Sequence, residues 1–194
     1  SHLNYLSSNH KVISMAEMVN HLNSDSDEFK VAITFDDGYK DNLDNALPIL
    51  EKYNLPAIIY VTTRFPEGDC TMWWYELWGI IKNKESITFE FKEKKYLFKC
   101  KSNSQKIKIY NLLSKFIESE NLEMQKSLLK LIKGENHLIN YKSICLSWDE
   151  IIVLAKHPLI TIGSHTYNHN SLKNIGEKES YWELEYSKKL IENV

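Results

Sequence analysis

Two pairs of residues in this sequence carry side chains suited to chemistry, at spacings that let them act together. The first is Asp36-Asp37, which follows the apolar, β-prone run Val31-Ala-Ile-Thr-Phe35 and precedes Gly38. Adjacent carboxylates at the mouth of a strand have little structural use, because strands are depleted in Asp and like charges this close repel. Their bland explanation is a polar strand-to-helix loop in which one Asp serves as an N-cap. The second pair is His165 and His169, four apart after another strand-like run, Pro158-Leu-Ile-Thr-Ile162-Gly163. Two neutral imidazoles and one carboxylate form a three-ligand set with open positions, which a catalytic metal site requires. One aspartate can then bind the metal while its neighbour stays free as a base, and the doubled carboxylate acquires a use.

Several chemistries share those residues. A zincin needs Glu directly after the first histidine, and position 166 is Thr, so that reading fails. Two histidines and one carboxylate also form the facial triad of iron oxygenases, which leaves the second aspartate unexplained. A hydrolase uses both, with a metal that activates water and polarises a carbonyl, and a free carboxylate as general base. A non-enzymatic domain that holds a metal and binds carbohydrate has the same ligands; turnover separates it from the hydrolase.

The elements that must position these residues can be read from periodicity. Ser14-Met-Ala-Glu17 is a capping box, followed by Met15, Met18, Val19 and Leu22 at helical spacing. After the strand at 31–36, a helix over about 41–53 carries Leu43, Ala46, Leu47 and Leu50, and Pro48 should kink it or begin a second segment. Ala57-Ile-Ile-Tyr-Val-Thr-Thr63 is a β-branched run of the kind buried in parallel sheets. Strand, helix, strand is a βαβ unit, so the fold class is α/β. The middle of the chain breaks this rhythm. Trp73-Trp-Tyr-Glu-Leu-Trp78 opens an aromatic helix, Ile87, Phe89 and Phe91 alternate into a turn at 92–95, and Tyr96 and Phe98 alternate out of it. Helical stretches follow at about 105–118 and 122–133. Residues 66–145 therefore read as an insertion within a single domain of 1–194, with its hairpin outside the main sheet. The rhythm resumes with the capping box Ser147-Trp-Asp-Glu150, the strand at 159–163, and a last helix over 177–194 with Tyr181, Leu184, Leu190, Ile191 and Val194 at core-like positions.

Bulk properties narrow the classes further. Hydrophobic content of 43% and charged content of 26% describe an ordinary globular chain, long enough at 194 residues for a sizeable core. With 24 basic and 26 acidic residues the formal net charge is −2, which gives no footprint for nucleic acid. Arg64 is the only arginine. Cys70, Cys100 and Cys145 are odd in number and widely spaced, against a disulfide framework or a thiolate zinc site. No window approaches about 18 apolar residues, so no transmembrane segment is expected.

Thr34-Phe-Asp36-Asp37-Gly38 together with His165-Thr-Tyr-Asn-His169 resembles the first two motifs of the polysaccharide deacetylases, the NodB-homology proteins of carbohydrate esterase family 4. Either motif is moderately specific; both, in order and at strand ends, are strongly so. The resemblance spans roughly 11–63 and 145–194, and the Trp-Trp-Tyr-Glu-Leu segment is similar to an inserted region in one branch of the family. It implies a distorted (β/α) barrel and the removal of acetyl groups from N-acetylated sugars with a divalent ion, zinc foremost. It further implies that Asp37, His165 and His169 bind the metal, that Asp36 takes a proton from the attacking water, and that Thr166 braces the loop. The substrate would be an N-acetylated polysaccharide or cell-wall glycan, and the setting the cell envelope or beyond the cytoplasm; the residues themselves leave the compartment open.

The family's further motifs, including the Leu-x-x-His segment that supplies the general acid, are not found downstream of His169. Leu154-Ala-Lys-His157 fits that spelling but precedes the metal histidines, and reads as coincidence. Three barrel strands, with a fourth near Val12, fall short of the seven or eight of a closed barrel. The expectation is an incomplete barrel that is the N-terminal part of a longer enzyme and is prone to self-association through its open edges; taken as complete, these residues would bind metal with weak or absent turnover.

Overall fold

The apolar run that leads to the paired aspartates is built as two short strands, because its halves take different partners. In the computed structural model, which describes residues 2–68, 70, 72–133 and 143–194, β1 is Lys11–Val12, β2 is Lys30–Val31 and β3 is Ile33–Phe35. β1 and β2 pair in parallel as a two-stranded sheet. Beyond Ala32, β3 pairs in parallel with β4 (Ala57–Val61). β4 pairs on its other edge, also in parallel, with β7 (Ile160–Ser164), which gives the order β3-β4-β7. Four of the five β4 residues are buried, as expected of a central parallel strand covered on both faces. Among the described residues no barrel closes.

The helices follow their caps. Ser14 and Glu17 close a capping box on α2 (Met15–Leu22), and Ser147 and Glu150 do the same for α7 (Trp148–Ala155). Pro48 acts as expected of a residue that cannot donate within a helix. A π-helical turn at Asn42–Ala46 gives way to α3, Leu47–Tyr53, with the proline in its first turn. The first helix, α1 at His2–Asn9, has no periodic signal in the sequence. The last, α8 at Glu177–Glu192, corrects the sequence reading. Tyr181, Leu184 and Val194 are exposed, whereas Glu183 and Ser187 are fully buried. At Glu183 and Ser187 the inward face of α8 is polar because it meets donors and acceptors of the histidine loop and the Thr63 hydroxyl, whereas Ile191 packs against the core as expected.

The chain divides into two compact units. One comprises Ser1–Cys70, Tyr141–His169 and Tyr181–Val194, and its core joins Leu50, Ile59, Val61, Leu146, Ile151 and Leu154. The other comprises Thr71–Asn140 and Asn170–Ser180. It holds α4 (Trp73–Lys82), β5 (Ser86–Phe91), β6 (Lys94–Lys99), α5 (Asn103–Glu118) and α6 (Leu122–Lys133). The hairpin of β5 and β6 forms its own sheet. Its two-residue turn places Lys92 and Glu93 at φ 49° and 62°, the primed geometry that matches the twist of antiparallel strands. Strict alternation buries Ile87, Phe89 and Phe91 against Leu77, Leu113 and Ile117. Trp73 packs on that core, while Trp78 is 39% exposed. Residues 134–142, part of the stretch read as an insertion, lie outside the described residues.

Candidate metal centre

Because β3, β4 and β7 are parallel, their C-terminal ends share one edge of the sheet, where ligands gather in open α/β folds. The segment after β4 stitches the other two together. Thr62 N–H donates to the Asp37 carbonyl (3.3 Å), His165 N–H to the Val61 carbonyl (2.9 Å), Thr63 N–H to Thr166 O (3.2 Å) and Arg64 N–H to Tyr167 O (3.1 Å). Two motifs from distant parts of the sequence thereby face each other.

Asp37 Oδ1 lies 3.0 Å from His169 Nε2 and 3.4 Å from His165 Nε2. One donor atom from each residue falls within 4.8 Å of the others, the only such trio of His, Cys, Asp and Glu among the described residues. Donors about 2.05 Å from a shared tetrahedral ion sit roughly 3.3 Å apart, so the two spacings fit a divalent cation held by two imidazoles and a carboxylate. The set is half-buried, with the Phe65 ring 5.8 Å from that of His169. Burial alone would push the Asp37 carboxyl up. The His169 hydrogen bond, the charges of His169 and His165 and a hydrogen bond from Tyr39 outweigh it and hold the group below the usual carboxylate range.

The backbone is bent to achieve this. Asp37, Thr166 and His169 have φ of 72°, 65° and 60°, a region costly for residues other than glycine and, for β-branched Thr, an outlier. Gly38 follows at φ 78°, where an added Cβ would also meet the Val61 methyls at 3.2 Å. Thr166 Oγ1 accepts from His169 N–H at 3.1 Å, which is the bracing role expected of it.

Residues outside the two motifs support these side chains. Tyr39 bonds the Asp37 carboxylate and its backbone bridges to Cys145, while Leu146 N–H donates to the Gly38 carbonyl. Lys40 pairs with Glu150 at 2.7 Å, which ties the aspartate loop to the capping box of α7. Arg64 Nη1 donates to Asn168 Oδ1 at 2.6 Å. Glu183 accepts from the backbone between the histidines. A buried acceptor on a distant helix has no spacing rule that would reveal it. Asp36 is exposed and lies outside the trio. Cys70, Cys100 and Cys145 are buried; burial, then Cys70 and the Asp37 charge, pushes the Cys145 thiol up to about 12. His157 Nε2 sits 3.1 Å from Glu51, a contact unrelated to the trio.

Residues 23–194 match the family model "Polysaccharide deacetylase". The chain belongs to the polysaccharide deacetylase family. No curated protein shows a significant match. Among solved structures, the BpsB deacetylase domain from Bordetella bronchiseptica is similar at 14% identity over 98% of this chain and 61% of its own, with a TM-score of 0.51. A de-N-acetylase from Aggregatibacter actinomycetemcomitans is similar at 19% identity over 87% of this chain and 43% of its own, with a TM-score of 0.41. The chain thus spans about half the length of these structures, and the Bordetella likeness agrees with the mixed α/β fold.

Proposed function

We propose that the chain carries the metal centre of a hydrolase that removes acetyl groups from N-acetylated sugars of a glycan, with Asp37, His165 and His169 as ligands of a divalent cation, zinc first among them. The observation that carries the reading is the convergence of these three side chains at 3.0 and 3.4 Å on the C-terminal edge of a parallel sheet. A cation there supplies Lewis acidity that acidifies water and polarises the acyl oxygen. The chain's own residues do the rest. Asp37 stays ionised and, with the imidazoles, leaves the substrate side open. Asp36, free of the trio and exposed, takes the proton of the water that attacks the amide carbon. The C–N bond breaks to give acetate and the sugar amine, whose nitrogen gains a proton.

The same reading makes the sheet the first part of a NodB-type barrel with 66–145 inserted in it. Direct parallel pairing of β4 with β7 supports this, because the intervening stretch then returns the chain to the strand it left.

Metal analysis of the purified chain tests the ligands, and acetate release from N-acetylglucosamine oligomers by the protein that contains it tests the base. Asp37→Ala and His165→Ala should lose bound metal. Asp36→Asn should keep it and release no acetate. Undiminished metal in both ligand variants would sink the assignment.

A further inference from the structure

We infer that Glu183 and Ser187 of α8 are positioning residues that fix the backbone between His165 and His169, and so set both imidazoles for metal; this rests on the ligand assignment above. Both residues are 0% exposed. A buried carboxylate is strongly disfavoured unless donors surround it, and here the donors come from the histidine loop itself. Glu183 Oε2 accepts from the N–H groups of Tyr167 (2.9 Å) and Asn168 (2.8 Å), and Oε1 from Asn168 Nδ2 (2.6 Å). With Thr166 at φ 65°, successive amides turn to one side and form a concavity for an anion, which a side chain of the same protein fills.

Ser187 lies one turn further along the same helix face. Its Oγ donates to Thr166 O (2.9 Å) and accepts from Thr63 Oγ1 (3.1 Å) and Ser164 Oγ (2.7 Å), which uses the full capacity of a hydroxyl. Two side chains on one helix therefore hold Ser164, Thr166, Tyr167 and Asn168, the residue before the first histidine and all three between the pair. Arg64 locks Asn168 from the opposite side. The strained φ of Thr166 and His169 persists because these bonds over-determine it. Support of this kind, one step removed from the metal, orients ligands in known sites.

The test measures Zn2+ affinity of the full chain by chelator competition, with the visible spectrum of the Co2+-loaded chain as a reporter of ligand geometry and thermal melts as a check of folding. Glu183→Gln places an amide donor against the Asn168 Nδ2 donor. It should weaken Zn2+ binding by about tenfold or more and shift the cobalt spectrum. Ser187→Ala should act in the same direction. Glu185→Gln, whose carboxylate pairs with Lys189 instead, should leave both readouts alone. If Glu183→Gln does not fold, Ser187→Ala decides by the same readouts. Folded variants that bind Zn2+ within twofold of the parent, with the parent's spectrum, overturn the inference. A parent chain that binds no Zn2+ overturns the ligand assignment beneath it.

Discussion

The candidate metal centre is made from residues held in conformations they would not choose. Asp37, Thr166 and His169 all occupy the left-handed region, and each is fastened by bonds to a neighbouring loop or helix. A second close fit lies two residues before His165. Gly163 faces Tyr60 across the β4–β7 pair, and a Cβ on it would come within 2.6 and 2.8 Å of the tyrosine ring. Gly163→Ala should therefore destabilise the fold by about 1–3 kcal/mol through overpacking, read by urea unfolding. An unchanged midpoint would show that the ring yields. The aspartate and histidine pairs were legible because their residue types have few other uses at strand ends. Tyr39, Arg64 and Glu183 were not, since their partners are backbone or single atoms far away in the sequence.

Among the elements, legibility followed period and caps. Both capping boxes flagged in the sequence appear at their helices, Pro48 begins a new segment, and the alternating hairpin forms. α8 misled the reading because apolar periodicity finds a face only when the buried face is apolar. The run at 31–36 divided at Ala32 because pairing partners are not encoded in alternation. α7 offers a test in pH. Its capping-box residue Glu150 has its carboxyl held low by the hydrogen bond from Lys40, then by the Ser147 backbone, against burial, with the Ser147 hydroxyl and the Lys40 charge adding less. A carboxyl lowered by folding stabilises above its unfolded value, and that contribution fades as pH falls through the folded one. The Tm advantage of the parent over Glu150→Gln should thus be complete at pH 7 and shrink below the ordinary carboxylate range. A gap that does not vary with pH would contradict this. Lys40, raised by the same pair, would lose its share only at the alkaline end.

At the scale of the whole molecule, the chain has two cores, each with its own burial. Leu113, 2% exposed, sits in the core of the unit without Asp37. Leu113→Ala should cost about 2–5 kcal/mol there. Trp73, Trp74 and Trp78 all belong to that unit, so tryptophan fluorescence during denaturation should report the loss. A mutant that unfolds at the parent's denaturant concentration would show that the site collapses without a cavity. The polar inner face of α8 also has a consequence in time. Synthesis runs from the N-terminus, so Asp37 emerges first and waits through Thr71–Asn140 of the second unit for His165 and His169. A nascent chain halted after His169 would already own all three proposed ligands, yet the loop that carries two of them would lack Glu183 and Ser187 behind it. On the proposed ligand assignment, capture of the ion is a late event of biogenesis, deferred until α8 has left the ribosome.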